Sequence, residues 1–503
     1  MARFWHVHRR WIMTLATRQC QEKQRGRGRA GKRDETAEPR GWYKDGTDLE
    51  IHVQRIERVM VGVLAVVLGT AAGCFHRQPP APPPTRADLD PQAVAALDWV
   101  DQHDVRLASV EPVAADSDLE PLKGYIGNAH VVGVGEATDG SHQFTTVNQR
   151  IFEMLARESG FRTLAIEAPV LETSALDDYV RTGVGDPKKL IADLGSWALN
   201  TQEMLQFVTW MRAYDAAHTG DQQVGLAGFD MEYPTQPTAA VLAFVDRTLG
   251  SEFRRWVYDQ YWCTTRPEDV APGQRLPPWA SAYWNACVAA VVSVSDTLTE
   301  MHDRLVAASS NAAVDSASRM AKLVLLRALV SSGQLSRDAA MADNIVAVLD
   351  RLGPAAKVVV WSHDATVGRF GQTKDLRVGD LLGQRLHSNY FAIGYAFASG
   401  QFRSLEVHDG QVATKPRIFS VDLPERGSYE WMLQFAKDPD FYLDLRRTPT
   451  GDAGVWLTGP HPFRMTGWTY DTDDPDQYAT TTPLLVPWDV LVFIRTITAD
   501  EPR

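Results

Sequence analysis

With 503 residues, 44% of them hydrophobic and 23% charged, the chain has the composition of a globular protein with room for one large domain or two to three ordinary ones. Its formal charge of −12 is unevenly distributed: residues 1–59 carry a net of +6 and residues 60–503 a net of −18. So acidic a body argues against nucleic acid as a partner, because phosphate binding needs clustered basic side chains.

Residues 1–59 read as a basic leader, long for a targeting segment and consistent with a start codon placed too far upstream. Arg55 and Arg58 then precede an apolar stretch, Val59 to Gly73, that ends Thr-Ala-Ala-Gly-Cys74. A charged n-region, a short apolar core and small residues before the cut are the parts of a signal peptide. The stretch is short of the roughly 20 apolar residues that a membrane-spanning helix needs. Small residues followed by Cys also suit a bacterial lipoprotein signal, over residues 60–74, with Cys74 as the lipidated residue. Residues 75–87, with the run Gln78-Pro-Pro-Ala-Pro-Pro-Pro-Thr85, form a polyproline-like tether. The expected location is therefore the bacterial cell envelope, lipid-anchored to a membrane or periplasmic. Of the four cysteines, Cys263 and Cys287 form an even pair in the body. A disulfide fits an oxidising compartment, and two buried thiols are the alternative.

Past the tether, Asp90-Pro91 starts a helix reaching about Arg106, and a short one follows over Asp116–Ile126. Ala129–Val134 is a buried strand, and Gly135 opens a loop carrying Glu136, Asp139 and His142 at intervals of three. A helix from about Gln143 to Ser159 stops at Gly160. Phe161–Pro169 is a second strand with Glu167 at its end, where a carboxylate is costly unless paired, hydrogen-bonded or solvated. Helices are expected over 171–182, 186–199 and 201–217, and a third strand, 223–229, again ends in a carboxylate, Asp230. Residues 235–350 are mainly helical. Lys357–Trp361 and Tyr390–Phe397 are strands, the former leading into Ser362-His363-Asp364 and on to Arg369, and Val490–Thr496 is the last. Strands alternating with helices predict an α/β fold: a central, mostly parallel β-sheet flanked by helices, with a large helical insertion at about 235–350 in a single domain over 88–498.

The chain resembles the erythromycin esterase family from about residue 88 to 498. The landmarks are Gly135-Glu-Ala-Thr-Asp139, Gly160-Phe-Arg-Thr-Leu-Ala-Ile-Glu167, Trp210-Met-Arg212, Gly228-Phe-Asp230, Arg337-Asp-Ala-Ala-Met-Ala-Asp-Asn344, Val360-Trp-Ser-His363, Gly427-Ser-Tyr-Glu430 and Asp489-Val-Leu-Val-Phe493. The resemblance implies one central sheet and, for resistance enzymes of the family, hydrolysis of a macrolide lactone by water that a motif His activates. Here the motif Gly-Glu-x-x-His ends in Asp139, the His-Asn-x-His element becomes His363-Asp364-Ala365-Thr366, and Asn148 stands where resistance enzymes commonly carry Arg.

A general base works best with a pKa near the operating pH, and Asp begins near 3.9, so Asp139 needs burial or neighbouring carboxylates to serve. The expected reaction is hydrolysis of an ester, lactone or macrolide-like small molecule. Glu136, Asp139, Glu167 and His363 are its catalytic residues, and His142, Arg150, Asp230, Asp364 and Arg369 line the binding site. No cofactor is expected; the alternative is a divalent metal on Glu136, Asp139, Glu167 and Asp230, an oxygen-ligand set. The other reading is a family member that has lost the reaction and acts as a ligand-binding or assembly lipoprotein. Plain structural roles compete at each position: a helix cap for Glu136 or Asp139, a solvent-facing ring for His142. A conventional serine hydrolase is excluded by the lack of Gly-x-Ser-x-Gly, nucleotide binding lacks a Gly-rich motif, and structural zinc lacks a Cys/His cluster.

Overall fold

Every residue of Val131–Val134 (β2) and Val358–Trp361 (β5) is buried, as expected of strands covered on both faces. They lie parallel and adjacent in a computed structural model that describes residues 83–112, 116–231, 235–264, 278–371 and 374–503. The leader, Cys74 and most of the Pro-rich tether lie outside the described residues. The other strands are Asp104–Arg106 (β1), Thr163–Pro169 (β3), Gly225–Asp230 (β4), Tyr390–His408 (β6), Gln411–Val421 (β7), Asp440–Asp444 (β8), Pro460–Arg464 (β9), Thr469–Asp471 (β10), Ala479–Pro483 (β11) and Val490–Ile497 (β12).

Ten of these make one sheet in the order β1-β8-β12-β6-β2-β5-β3-β4, with β7 and β10 pairing to the far end of the long β6. Pairings from β12 through β4 are parallel, while β1 to β8, β8 to β12 and β6 to β7 are antiparallel. One core face is closed by helices from the 235–352 insertion, with Val241, Val245, Val291 and Val324 fully buried; the other is closed by helices 142–158, 170–182 and 202–217, with Phe144, Ile151 and Phe207. Residues 83–503 form one compact unit. No helix among the described residues is long and apolar enough to cross a membrane.

Three expected boundaries move. The first helix ends at His103, because Asp104–Arg106 pairs with β8 as an edge strand. Its start is as expected, with the Asp90 side chain accepting from the Gln92 and Ala93 amides and Pro91 at the first helical position. The helix expected over 116–126 begins at Glu120. That expected over 186–199 stops at Asp193, and Gly195 turns out of it at φ +74°.

Cys263 and Cys287 are joined by a disulfide with their Cα atoms 5.8 Å apart. Closing a loop with a sequence separation of 24 restricts the unfolded chain by about 3 kcal/mol. Replacing both cysteines by Ser should lower the unfolding free energy by that order in denaturant titrations; an unchanged midpoint would count against a structural role for the bridge.

Candidate active site

Register aligns the site. Val134 of β2, Trp361 of β5 and Ile166 of β3 lie in one row across the sheet, and Ile166 pairs on with Gly228 of β4. The residues just past that row are Glu136, Ser362-His363, Glu167 and Asp230. Four neighbouring parallel strands thus deliver their ionisable groups to one carboxyl edge, where α/β sheets place ligands.

The loop after β2 is held from below. Gly135 donates its amide to the Ile393 carbonyl at 2.9 Å. A Cβ there would overlap the Asp364 carboxyl, so only glycine lets Asp364 sit under the loop. Asp364 is fully buried and accepts from the Tyr395 amide at 3.0 and 3.1 Å and from the Glu136 amide. Burial raises its pKa well above the ordinary carboxylate value. Asn148 donates to the Gly135 carbonyl at 3.0 Å and accepts from the Tyr395 hydroxyl at 2.6 Å. The position that carries Arg in related resistance enzymes is here a neutral brace beneath the loop.

Above this support the Glu136 and Asp139 carboxyls hydrogen-bond to each other. Burial and the neighbouring Asp139 charge push Glu136 far up, with the Trp361 indole working the other way. Burial also raises Asp139; His363 pulls it back and Glu167 pushes it up. The bond raises Glu136 and lowers Asp139, the sense of Glu136 as donor and Asp139 as acceptor. His363 faces Asp139: the point where Gly467 lacks a Cβ is 3.5 Å from His363 Nε2 and 3.8 Å from Asp139 Oδ2. His363 Nδ1 accepts from the Ala365 amide at 3.1 Å, which puts the ring proton on Nε2, donating to the Thr466 carbonyl at 3.1 Å.

Beside the pair, Arg337 Nη2 donates to Glu167 Oε1 and Asp230 Oδ2, both at 2.8 Å, and the Ser362 hydroxyl donates to Glu167 Oε2. This bridge bears on the metal alternative. Glu167 and Asp230 already share a guanidinium, and Glu136 and Asp139 share a hydrogen bond, so the four carboxylates do not fit a cation cage as arranged. Among the described residues no group of three or more His, Cys, Asp or Glu is placed to hold a metal ion.

The remaining expected site residues lie elsewhere. Arg150 is fully buried and pairs with Asp118 at 2.7 and 3.0 Å, tying helix 142–158 to the segment before β2. Arg369 pairs with Asp489 at 2.9 Å. His142 is clamped between Glu203 at 2.7 Å and Glu111 at 2.8 Å. The Glu203 bond, opposed by burial and helped by Glu111, raises its pKa from 6.5 to about 9, so it is an imidazolium at neutral pH. A folded-state pKa above the unfolded one means the stabilisation is complete below about pH 6.5 and is lost as pH rises through about 9. Melting temperature should therefore drop between pH 7 and 10 in the wild type and less in His142→Gln; parallel curves would remove the clamp from the account. Arg337, Ser362, Thr466 and Gly467 were not among the expected site residues, although two sit inside the quoted landmarks.

A family model described as erythromycin esterase matches residues 156–497. The chain belongs to the erythromycin esterase family. The match begins after the Gly135–Asp139 loop and includes the altered His363–Thr366 element. "Putative hydrolase YbfO" of Bacillus subtilis is 22% identical over 406 residues, covering 72% of this chain and 84% of YbfO. A Bacillus cereus protein of known crystal structure aligns at TM-score 0.69 and 23% identity, over 82% of this chain and 99% of that one. A succinoglycan biosynthesis protein aligns at 0.67 and 21%, over 81% and 98%. A mutant of erythromycin esterase EreC in its open conformation aligns at 0.59 and 14%, over 79% and 98%. At these identities the solved structures establish the shared α/β fold.

Proposed function

We propose that this family member hydrolyses an ester or lactone with water activated by the Glu136–Asp139 pair. The observation that carries the reading is that pair: two neighbouring carboxyls, both raised by burial, facing His363 across Gly467. Asp139 takes a proton from water as the water oxygen bonds to the carbonyl carbon. The tetrahedral intermediate collapses by breaking the carbon–alkoxy bond, and the leaving oxygen takes its proton from the pair, giving acid and alcohol. Raising the carboxyl pKa toward neutrality makes Asp139 a stronger base and Glu136 a usable acid at one pH. His363, its Nδ1 occupied, keeps an N–H on the side of the reacting centre and turns it from Thr466 to the developing oxyanion. Glu167, fixed by Arg337 and Ser362, sustains the raised state of Asp139.

The direct test is acid release from erythromycin and from a panel of simple esters and lactones incubated with the purified protein. Turnover of at least one is expected, and a silent panel would sink the reading.

We further infer an envelope location. The apolar segment before Cys74 and the Cys263–Cys287 disulfide, which suits an oxidising compartment, support it. Cys74→Ser should move the protein from the membrane to the soluble fraction; unchanged partitioning would argue against lipidation.

A further inference from the structure

Thr466, Gly467 and Trp468 run past the reacting centre, and each contributes differently. The Thr466 carbonyl holds His363 Nε2 at 3.1 Å, and Gly467 leaves open the point shared by His363 and Asp139. Trp468 is 47% exposed, and its ring centroid lies 5.2 Å from that of Trp197, the two tilted by 48°. Trp197 is fixed from behind: the Arg403 guanidinium stands 5.4 Å over its ring and donates to its carbonyl at 3.2 Å. Arg403 is in turn held by both carboxylate oxygens of Asp500. The Arg403 amide donates to the Gly140 carbonyl at 3.0 Å, which ties the aromatic pair to the turn that carries Asp139. The Trp197 indole N–H finds no acceptor among the described residues.

We propose that Trp468 and Trp197 form a stacking platform for the substrate, and that the substrate is an O-acylated, uncharged sugar ring; the acyl part of this inference rests on the hydrolase reading above. A pyranose offers a flat C–H face to the exposed Trp468 ring and hydroxyl donors to the Asp139 carboxylate that lies past Gly467. The net of −18 over residues 60–503 disfavours an anionic ligand. In the reaction, the bond between the acyl carbon and the sugar oxygen breaks. Water supplies hydroxyl to the acyl carbon, and the sugar oxygen takes up the proton.

The test compares an acetylated methyl pyranoside with ethyl acetate, which carries the same acyl group and no ring. In Trp468→Ala the ratio of kcat/KM for sugar ester over acyclic ester should fall about tenfold, mainly through KM, while Trp468→Phe keeps it within about threefold, as expected of a lost stacking contact. An unchanged ratio overturns the platform. Binding is read separately by titrating Asp139→Asn protein with unacylated methyl pyranoside and following tryptophan emission. A saturable change that disappears on adding Trp468→Ala supports the platform even if no ester is turned over, in which case the hydrolase reading alone falls. No saturable change, or one indifferent to Trp468, overturns it.

Discussion

Asp139→Asn should remove about 10³-fold in kcat/KM, the scale of a lost general base, while leaving the protein at least as stable as the wild type at neutral pH. The loss follows from chemistry: an amide of the same shape keeps a hydrogen bond to Glu136 and cannot accept a proton from water. The stability follows from linkage. Asp139 and Glu136 both have raised folded-state pKa values, so what they contribute to stability is complete below the unfolded carboxylate range and is lost as pH rises through the folded values. At pH 7 to 8 the pair is therefore a cost held in place by the fold, and removing one ionisable member relieves it. The stability difference should shrink as pH falls below the raised values of the pair. Wild-type kcat/KM should rise with pH through the raised pKa of the pair. Retained turnover in the Asn variant would remove Asp139 from the mechanism. Asp139→His restores the residue that the family's resistance enzymes carry. An inert wild type with an active His variant would identify an intact scaffold turned to ligand binding.

How much of this was legible beforehand depends on how local the cause is. The strands β2 to β5 and their terminal carboxylates were readable because burial on both faces leaves continuous apolar runs, and a charge at the end of such a run is conspicuous. That Glu136, Asp139, Glu167 and His363 meet at one edge depends on strand order, which no local pattern carries and the family resemblance gave only as one central sheet. Boundaries failed where a distant partner decided: Asp104–Arg106 continues a helical pattern but pairs with β8. His142 looked like a site residue from its spacing, yet its fate depends on Glu203 and Glu111, which no local pattern connects to it. Arg337 and Ser362 lay within quoted landmarks, but a motif names residues without saying which carboxylate they meet. Thr466–Trp468 carried no local signal. They reach the site because β9 and β10 flank the segment and the β10 strand pairs with β6, more than sixty positions earlier, with Tyr470 opposite Glu406.

The Arg337 bridge carries the second large effect. Its side chain is 32% exposed and serves two carboxylates from different strands, with Asp230 buried. Burial already raises Asp230 despite Arg337, whose charge and hydrogen bond pull the other way. Arg337→Met removes the one charge that favours the ionised carboxylate at the end of β4, leaving the Met231 amide as its hydrogen-bond donor at 2.7 Å. Breaking a fully buried pair costs about 3–5 kcal/mol, and screening at a site one-third exposed brings the expectation to about 2–3 kcal/mol at pH 8. The sign is set by the remaining acid: Asp230 rises further in the variant, so its penalty grows with pH and shrinks when the carboxyl is protonated at pH 4 to 5. Adding Asp230→Asn to Arg337→Met should therefore recover most of the loss at pH 8 and little at pH 4. Denaturant unfolding of the four proteins in that cycle, at both pH values, isolates the coupling. A single variant as stable as the wild type at pH 8, or a double variant no better than the single, would show that the β3 and β4 ends are held by something other than this charge. The same cycle bears on the chemistry, because Glu167 without its guanidinium presses harder on Asp139. The activity of Arg337→Met should then show its pH dependence displaced upward rather than simply scaled down.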